Sequence, residues 1–232
     1  MLEKFSTPED LGTATRYIEL LRSRNFEAFQ DSLDPGVKNT LTESSFQQVA
    51  KILSSERAQQ IQLVGFHKFT SDKETDVEAV YQMRFRNWWT VADVNFRWVG
   101  HRPYLLGLHV QRFGKSMQEL NAFTLKGKDA IQYLWLLVTV LVGFVSLVTL
   151  YVCALTPSLK WKWLWLAAIA IGVVEFSINW TTGDWAIAPI SIHIPVAGAT
   201  TMSPYAPWIL YFTLPIGAIA FWIVIIRAKA RA

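Results

Sequence analysis

The stretch IQYLWLLVTVLVGFVSLVTLYVCAL, residues 131–155, decides how this chain is built. It contains no Asp, Glu, Lys or Arg. At ~1.5 Å of rise per residue it is long enough to cross a ~30 Å hydrocarbon core as a helix. Two more apolar stretches follow, WLWLAAIAIGVVEFSI at 163–178 and PWILYFTLPIGAIAFWIVII at 207–226. Read by apolarity and length, all three are transmembrane α-helices.

The basic residues around them are unevenly placed. Lys160 and Lys162 follow the first stretch, and Arg227, Lys229 and Arg231 follow the third. Residues 179–206, between the second and third, hold neither Lys nor Arg. Cytoplasmic flanks carry the excess of Lys and Arg. This orientation puts the C-terminus in the cytoplasm of a bacterial inner membrane, with residues 181–206 and the N-terminal half outside. Arg112, Lys115, Lys126 and Lys128 precede the first stretch but belong partly to a folded domain. An N-terminal domain outside calls for a signal anchor upstream of Met1, since Met1–Asp10 is polar; the alternative is a cytoplasmic domain that departs from the Lys/Arg pattern.

The N-terminal half has a different composition. Residues 1–128 hold 17 Lys/Arg and 15 Asp/Glu without a basic cluster, which argues against a nucleic-acid partner. Cys153 is the chain's one cysteine, so intrachain disulfides and cysteine-based zinc sites are excluded. No cofactor or metal motif is present in the sequence. The expected partners are the lipid bilayer and a protein partner or second copy.

Thr7-Pro8-Glu9-Asp10 opens a helix: a capping Thr, a Pro at the first helical position and acids on the positive end of the dipole. Leu11, Ala14, Ile18 and Leu21 recur at helical spacing. Shorter helices are predicted over Asn25–Leu33 and Thr42–Ser54, and Ser116 with Glu119 forms a capping box for another, reaching Phe123. After Arg57 the period becomes 2. Strands are predicted at Gln59–Thr70, Thr75–Arg86 and Trp88–Val99, and a fourth through Tyr104, Leu106, Leu108 and Val110. Closing the middle hairpin at Phe85 opposite Thr90 pairs Met83 with Ala92 inside and Glu78 with Arg97 outside.

Three helices before a four-stranded antiparallel meander is an α+β order. Over about residues 8–113, this order and patterning resemble the NTF2-like, cystatin-like roll, in which a curved sheet wraps a helix. The resemblance implies any of several roles, since that fold hosts dehydratases, isomerases, binding modules and scaffolds. Ile178-Asn179-Trp180-Thr181-Thr182-Gly183, with Pro204-Tyr205-Ala206-Pro207-Trp208, resembles uncharacterised bacterial membrane proteins. The expected architecture is therefore an α+β domain over residues 1–125, built on one curved sheet, followed by three transmembrane helices within 126–232.

His67, Asp93 and His109 invite an acid–base reading. Asp93, Asn95 and Arg97 alternate with the apolar positions of their strand, however, so they point away from a cone lined by Tyr, Met, Phe, Trp and Val. Such a lining cannot move a proton. Trp88 and Trp89, beside Arg84 and Arg86, suit a membrane interface or a partner groove. Glu175 is the ionisable side chain well inside a predicted span, where an acid is costly and by default functional. Its expected partners by depth are Thr139, Tyr211 or Thr213. His193 alone cannot hold zinc. The expectation is an extracytoplasmic binding or assembly module on a membrane anchor. The alternatives are an enzyme using the roll's apolar cavity, or a transport accessory using Glu175.

Overall fold

The computed structural model describes residues 6–53, 58–71, 74–157 and 159–229, and the chain divides into two compact units, Met1–Glu119 and Leu120–Ala232. Ser54 and Arg231, read above as a helix end and part of a basic tail, lie outside the described residues.

In the first unit, helix α1 (Pro8–Arg22) starts at a capping box. The Asp10 backbone N–H donates to Thr7 Oγ1, and the Asp10 carboxylate accepts from the Thr7 backbone N–H. Asn25 caps α2 (Phe26–Asp31), and Thr42 caps α3 (Glu43–Ile52). The apolar stripe of α1, from Ala14 through Tyr17 and Ile18 to Leu21, is buried. It faces an antiparallel meander of β1 (Gln60–Thr70), β2 (Glu74–Arg84), β3 (Trp89–Val99) and β4 (Arg102–Phe113).

Val77, Ala79, Tyr81 and Met83 of β2, with Ala92, Val94 and Phe96 of β3, share one core with Tyr17, Leu21 and Phe46. Tyr17 meets Phe96 edge-on at 5.9 Å. Each such fully buried large side chain contributes about 1.5–3 kcal/mol. α4 (Met117–Leu120) stops short of Phe123. Its first backbone N–H and Gln118 hold the fully buried Gln82 on the sheet's other side.

The middle hairpin keeps the expected faces but is shifted by two residues. Arg84 pairs with Trp89, Tyr81 with Ala92 and Val77 with Phe96. The cause is the turn: the Phe85 N–H bonds to Trp88 O at 2.9 Å, and the two rings stack at 5.7 Å, so the ladder begins at Arg84. Arg97 therefore binds Asp76, with Nε 2.6 Å from Oδ1, rather than Glu78.

The second unit corrects the expected fold. Only the first apolar stretch forms a long helix, α5 (Ala130–Leu155), and among the described residues α5 alone is long and apolar enough to cross a membrane. The stretch 163–178 divides into α6 (Lys162–Ala170) and β5 (Gly172–Asn179). The stretch 207–226 divides into β8 (Ile209–Leu214) and α7 (Ile216–Lys229). Residues 181–206 form no simple loop, since they contain β6 (Trp185–His193) and β7 (Ala197–Thr200). The result is a second four-stranded antiparallel sheet, ordered β6-β5-β8-β7, and not three transmembrane helices after a single sheet.

The physical reason is local. Gly172 and the β-branched Val173 and Val174 disfavour continuation of α6, and Pro215 divides the third stretch into a strand and a helix. One sheet face packs on the N-terminal half of α5. Ile178, Trp180 and Leu210 form a cluster there with Trp135 and Leu136. Ile169 of α6, with Ala218 and Phe221 of α7, packs around Cys153 near the other end of α5.

α5 is built inside out. Its buried residues are Gln132, Thr139, Ser146, Thr149 and Cys153. Its exposed face carries Leu134, Leu137, Leu141, Phe144, Leu147 and Tyr151.

Candidate functional site

β5 alternates from Glu175 onward. Phe176, Ile178 and Trp180 belong to the face on α5, so Glu175, Ser177 and Asn179 take the other. This phase is set by Val174, which interrupts the pairing of β5 with both neighbours and has φ of 61°. A β-branched residue in the left-handed region is strained, and such outliers cluster at functional sites. The irregularity re-aims the side chain beside it, as β-bulges do.

That side chain is Glu175. Its Oε2 lies 2.7 Å from His193 Nε2, at the end of β6, and Ser191 Oγ donates to the same oxygen at 3.4 Å. The His193 ring tilts against Tyr211 at 5.1 Å. With an N–H on Nε2 donating to Glu175, Nδ1 becomes the basic nitrogen of the imidazole. A carboxylate that fixes the tautomer and orientation of a histidine is a proton-handling arrangement. Among the described residues no group of three His, Cys, Asp or Glu side chains is placed to hold a metal ion.

The partners of Glu175 therefore differ from those expected. Thr213 pairs with it in register, but its hydroxyl is committed to Val196 O at 2.8 Å. Tyr211 reaches the site through His193, and Thr139 is buried on α5 without a side-chain hydrogen-bond partner among the described residues. His193 and Ser191 were missed because residues 181–206 read as a loop. The usable signal was the alternation of Glu175, Ser177 and Asn179 with Phe176, Ile178 and Trp180, which marks a strand.

In the first unit both indoles are half-buried. Trp88 stacks on Phe85 and lies under Arg112 at 4.1 Å, while Arg84 lies 5.7 Å from the Trp89 ring. Trp88 packs against the edge of the core. Asp93 lies on the face away from the core, bonded by Asn95 Nδ2 at 3.1 Å and opposite His109 in register. Burial first, and then repulsion by Glu78, push its carboxyl up, partly offset by His109.

Two of the cavities among the described residues of this unit are lined mainly by apolar side chains. One, of about 240 Å³, is lined by Ile18, Leu53, Tyr81, Met83 and Phe85, with Glu19 and Arg22 joined by two 2.8 Å hydrogen bonds. The other, of about 140 Å³, lies between Phe29, Phe46, Val49 and Leu108. Burial pushes the Tyr17 phenol up to about 12, so it stays protonated.

Asp10 was also missed as a tertiary anchor. Only 2% exposed, it accepts from Lys68 Nζ at 2.7 Å and Trp98 Nε1 at 2.9 Å, tying α1 to β1 and β3. The sequence announces its capping role alone.

No protein-family model matches the sequence, and no curated protein matches it. The functional reading therefore rests on the geometry.

Proposed function

We propose that this protein is a membrane-anchored binding module. The carrying observation is the reversal along α5, where Gln, Ser and Thr are buried and Leu, Phe and Tyr face out. In water that surface would be a large adhesive apolar patch. Against lipid it is the ordinary arrangement, with small and polar residues serving helix contacts.

Trp135, Trp185 and Trp208 lie towards the sheet end, and Trp161 and Trp163 follow the other, as interfacial belts would. The free edge of β6 cannot face hydrocarbon, because its outer N–H and C=O groups would lack partners. The sheet therefore sits at the interface, and α5, α6 and α7 reach inward from it. Lys162 Nζ donates to Ala154 O, at the C-terminal end of α5. With Lys160 and Arg227, it favours a cytoplasmic location for that end in a bacterial inner membrane, and an outward-facing sheet.

The first unit supplies the module. Its helices on a curved meander suit the NTF2-like roll, and its 240 Å³ cavity is lined by apolar and aromatic side chains. The acid and base there, Glu19 and Arg22, bind each other, which favours binding over catalysis. A second reading, proton or ion handling at Glu175, is favoured by the His193 pair beside the strained Val174.

Alkaline carbonate extraction of membranes tests the anchor. The full chain should stay in the pellet, and Leu141→Arg with Phe144→Arg should release it. Recovery of the wild type in the aqueous fraction without detergent would overturn the reading. For the cavity, Met83→Trp should abolish saturable uptake of a small uncharged fluorophore such as N-phenyl-1-naphthylamine while the far-UV spectrum stays unchanged.

A further inference from the structure

Midway along α5, where its inward face passes from the sheet to α6 and α7, the packing leaves a groove of about 250 Å³. Gly143, Ser146 and Leu150 of α5 form one wall; Ile169 of α6 and the β6–β7 turn, with Pro195 and Ala197, complete it. Ser146 contributes the one polar side chain in this lining. The residue is 4% exposed, and among the described residues its Oγ has no hydrogen-bond partner.

A buried hydroxyl without a partner forfeits the hydrogen bond it would make to water. Water is a poor remedy here, since a buried water needs two to four polar partners and the side chains offer one. The space is nevertheless large. A dry apolar cavity of about 150 Å³ already takes a benzene ring.

We infer that this groove is a binding site for a neutral, lipid-soluble molecule with an apolar ring or chain and one hydrogen-bonding oxygen, a carbonyl above all, presented to Ser146. Three features select this class. The lining holds no charge, so a charged ligand would be stranded. Its walls are aliphatic, so most of the ligand must be apolar. The hydroxyl can donate to a carbonyl, and its position fixes where that oxygen sits. Leu147, next to Ser146, is 67% exposed on the lipid-facing side, which puts the site within reach of molecules dissolved in a bilayer. The supply of ligand from lipid rests on the membrane reading above; the fit to the groove does not.

Duroquinone and 1,2,4,5-tetramethylbenzene make a matched pair of probes, with the same methylated ring and with or without carbonyl oxygens. Titration calorimetry of the full chain in lipid nanodiscs, with empty nanodiscs subtracted, should give saturable binding of duroquinone. The hydrocarbon should bind roughly three- to tenfold more weakly, the range expected for one neutral hydrogen bond. Ser146→Ala should remove that preference and leave the hydrocarbon's affinity unchanged. Gly143→Leu should abolish binding of both by filling the groove. Gly143→Ala is the folding control, because its Cβ would lie 3.9 Å from Ala197 Cβ, an ordinary contact.

No saturable binding to the wild type would overturn the proposal, and so would an undiminished duroquinone preference in Ser146→Ala. The same titration in detergent separates the two readings. Binding there by a protein that fails carbonate extraction would sink the membrane reading and keep the site.

Discussion

Replacing Asp10 tests how the first unit is locked together. The carboxylate takes the Thr7 N–H of its own helix cap, Lys68 of β1 and Trp98 of β3. In Asp10→Ala the cap contribution falls by about 0.5–2 kcal/mol. The Lys68 bond is charge-assisted, a class worth about 1.5–3 kcal/mol, but Lys68 is 31% exposed and its ammonium regains water, so the lower end applies. The Trp98 N–H has less access to water and stays under-satisfied, a cost of about 1–3 kcal/mol. The combined loss is about 3–6 kcal/mol, at or slightly above what is found when one partner of a buried pair is removed. Asp10→Asn keeps one acceptor but turns an NH₂ towards donors, and should lose about 2–3 kcal/mol.

The assay is thermal or urea unfolding of the full chain in detergent, followed by near-ultraviolet circular dichroism. For a unit of this size the alanine variant should melt about 10 °C or more below wild type. The pH dependence supplies a second readout. Burial pushes the Asp10 carboxyl up, but hydrogen bonds from Lys68, Thr7 and Trp98 outweigh it and hold it below the ordinary carboxylate value. A group depressed in the folded state contributes fully above its unfolded value, near pH ~4, and loses that contribution as pH falls through the folded value. Wild type should therefore lose stability below pH ~4 more steeply than Asp10→Ala. An alanine variant within about 1 kcal/mol of wild type, or identical slopes below that pH, would refute the reasoning.

Other substitutions probe separate parts of the chain. Gly217→Ala would put a Cβ 2.0 Å from the Ala168 carbonyl, so α6 and α7 must separate; melting of the second unit should fall by several degrees, and an unchanged midpoint would contradict the close approach. Gly172→Ala would put a Cβ 1.6 Å from Thr213 Oγ1, and Thr213→Ala in the same chain should recover part of the lost stability. Asp93→Asn should stabilise the first unit at neutral pH, because the folded state raises this carboxyl; the gain should shrink as pH falls through the folded value and vanish below pH ~4, where both states become protonated. Glu175→Leu, which removes the acceptor 2.7 Å from His193 Nε2, should lower the melting point of the second unit in detergent, while Glu175→Gln, whose amide oxygen can still accept, should melt close to wild type; equal melting of all three would show that the pair is not formed in solution.

The two halves of this chain differ in legibility for a physical reason. In β2 and β3 one face meets a core and the other does not, so Val77, Ala79, Tyr81 and Met83 alternate against Glu78 and Gln82, and period 2 is unmistakable. That contrast fixes faces and leaves pairing free in steps of two, since such a shift moves no side chain to the other face. The Phe85–Trp88 turn makes the choice, through an N–H···O bond and a ring stack that hydrophobic patterning does not encode. In the second unit exposed positions are apolar too, among them Leu134, Phe144, Ile190 and Ile192, and the contrast that distinguishes helix from strand collapses. Residues 163–178 and 207–226 then satisfy the length and apolarity of a membrane helix, while each divides at Gly172 or Pro215. The polar members of β5 retained the true period. Glu175, Ser177 and Asn179 stand two apart, a spacing that turns a helix by about 200° per step and scatters them around it. A strand brings them to one face. The acid read as the exception inside a helix is thus the first member of a polar strand face, and its partner His193 comes from the neighbouring strand.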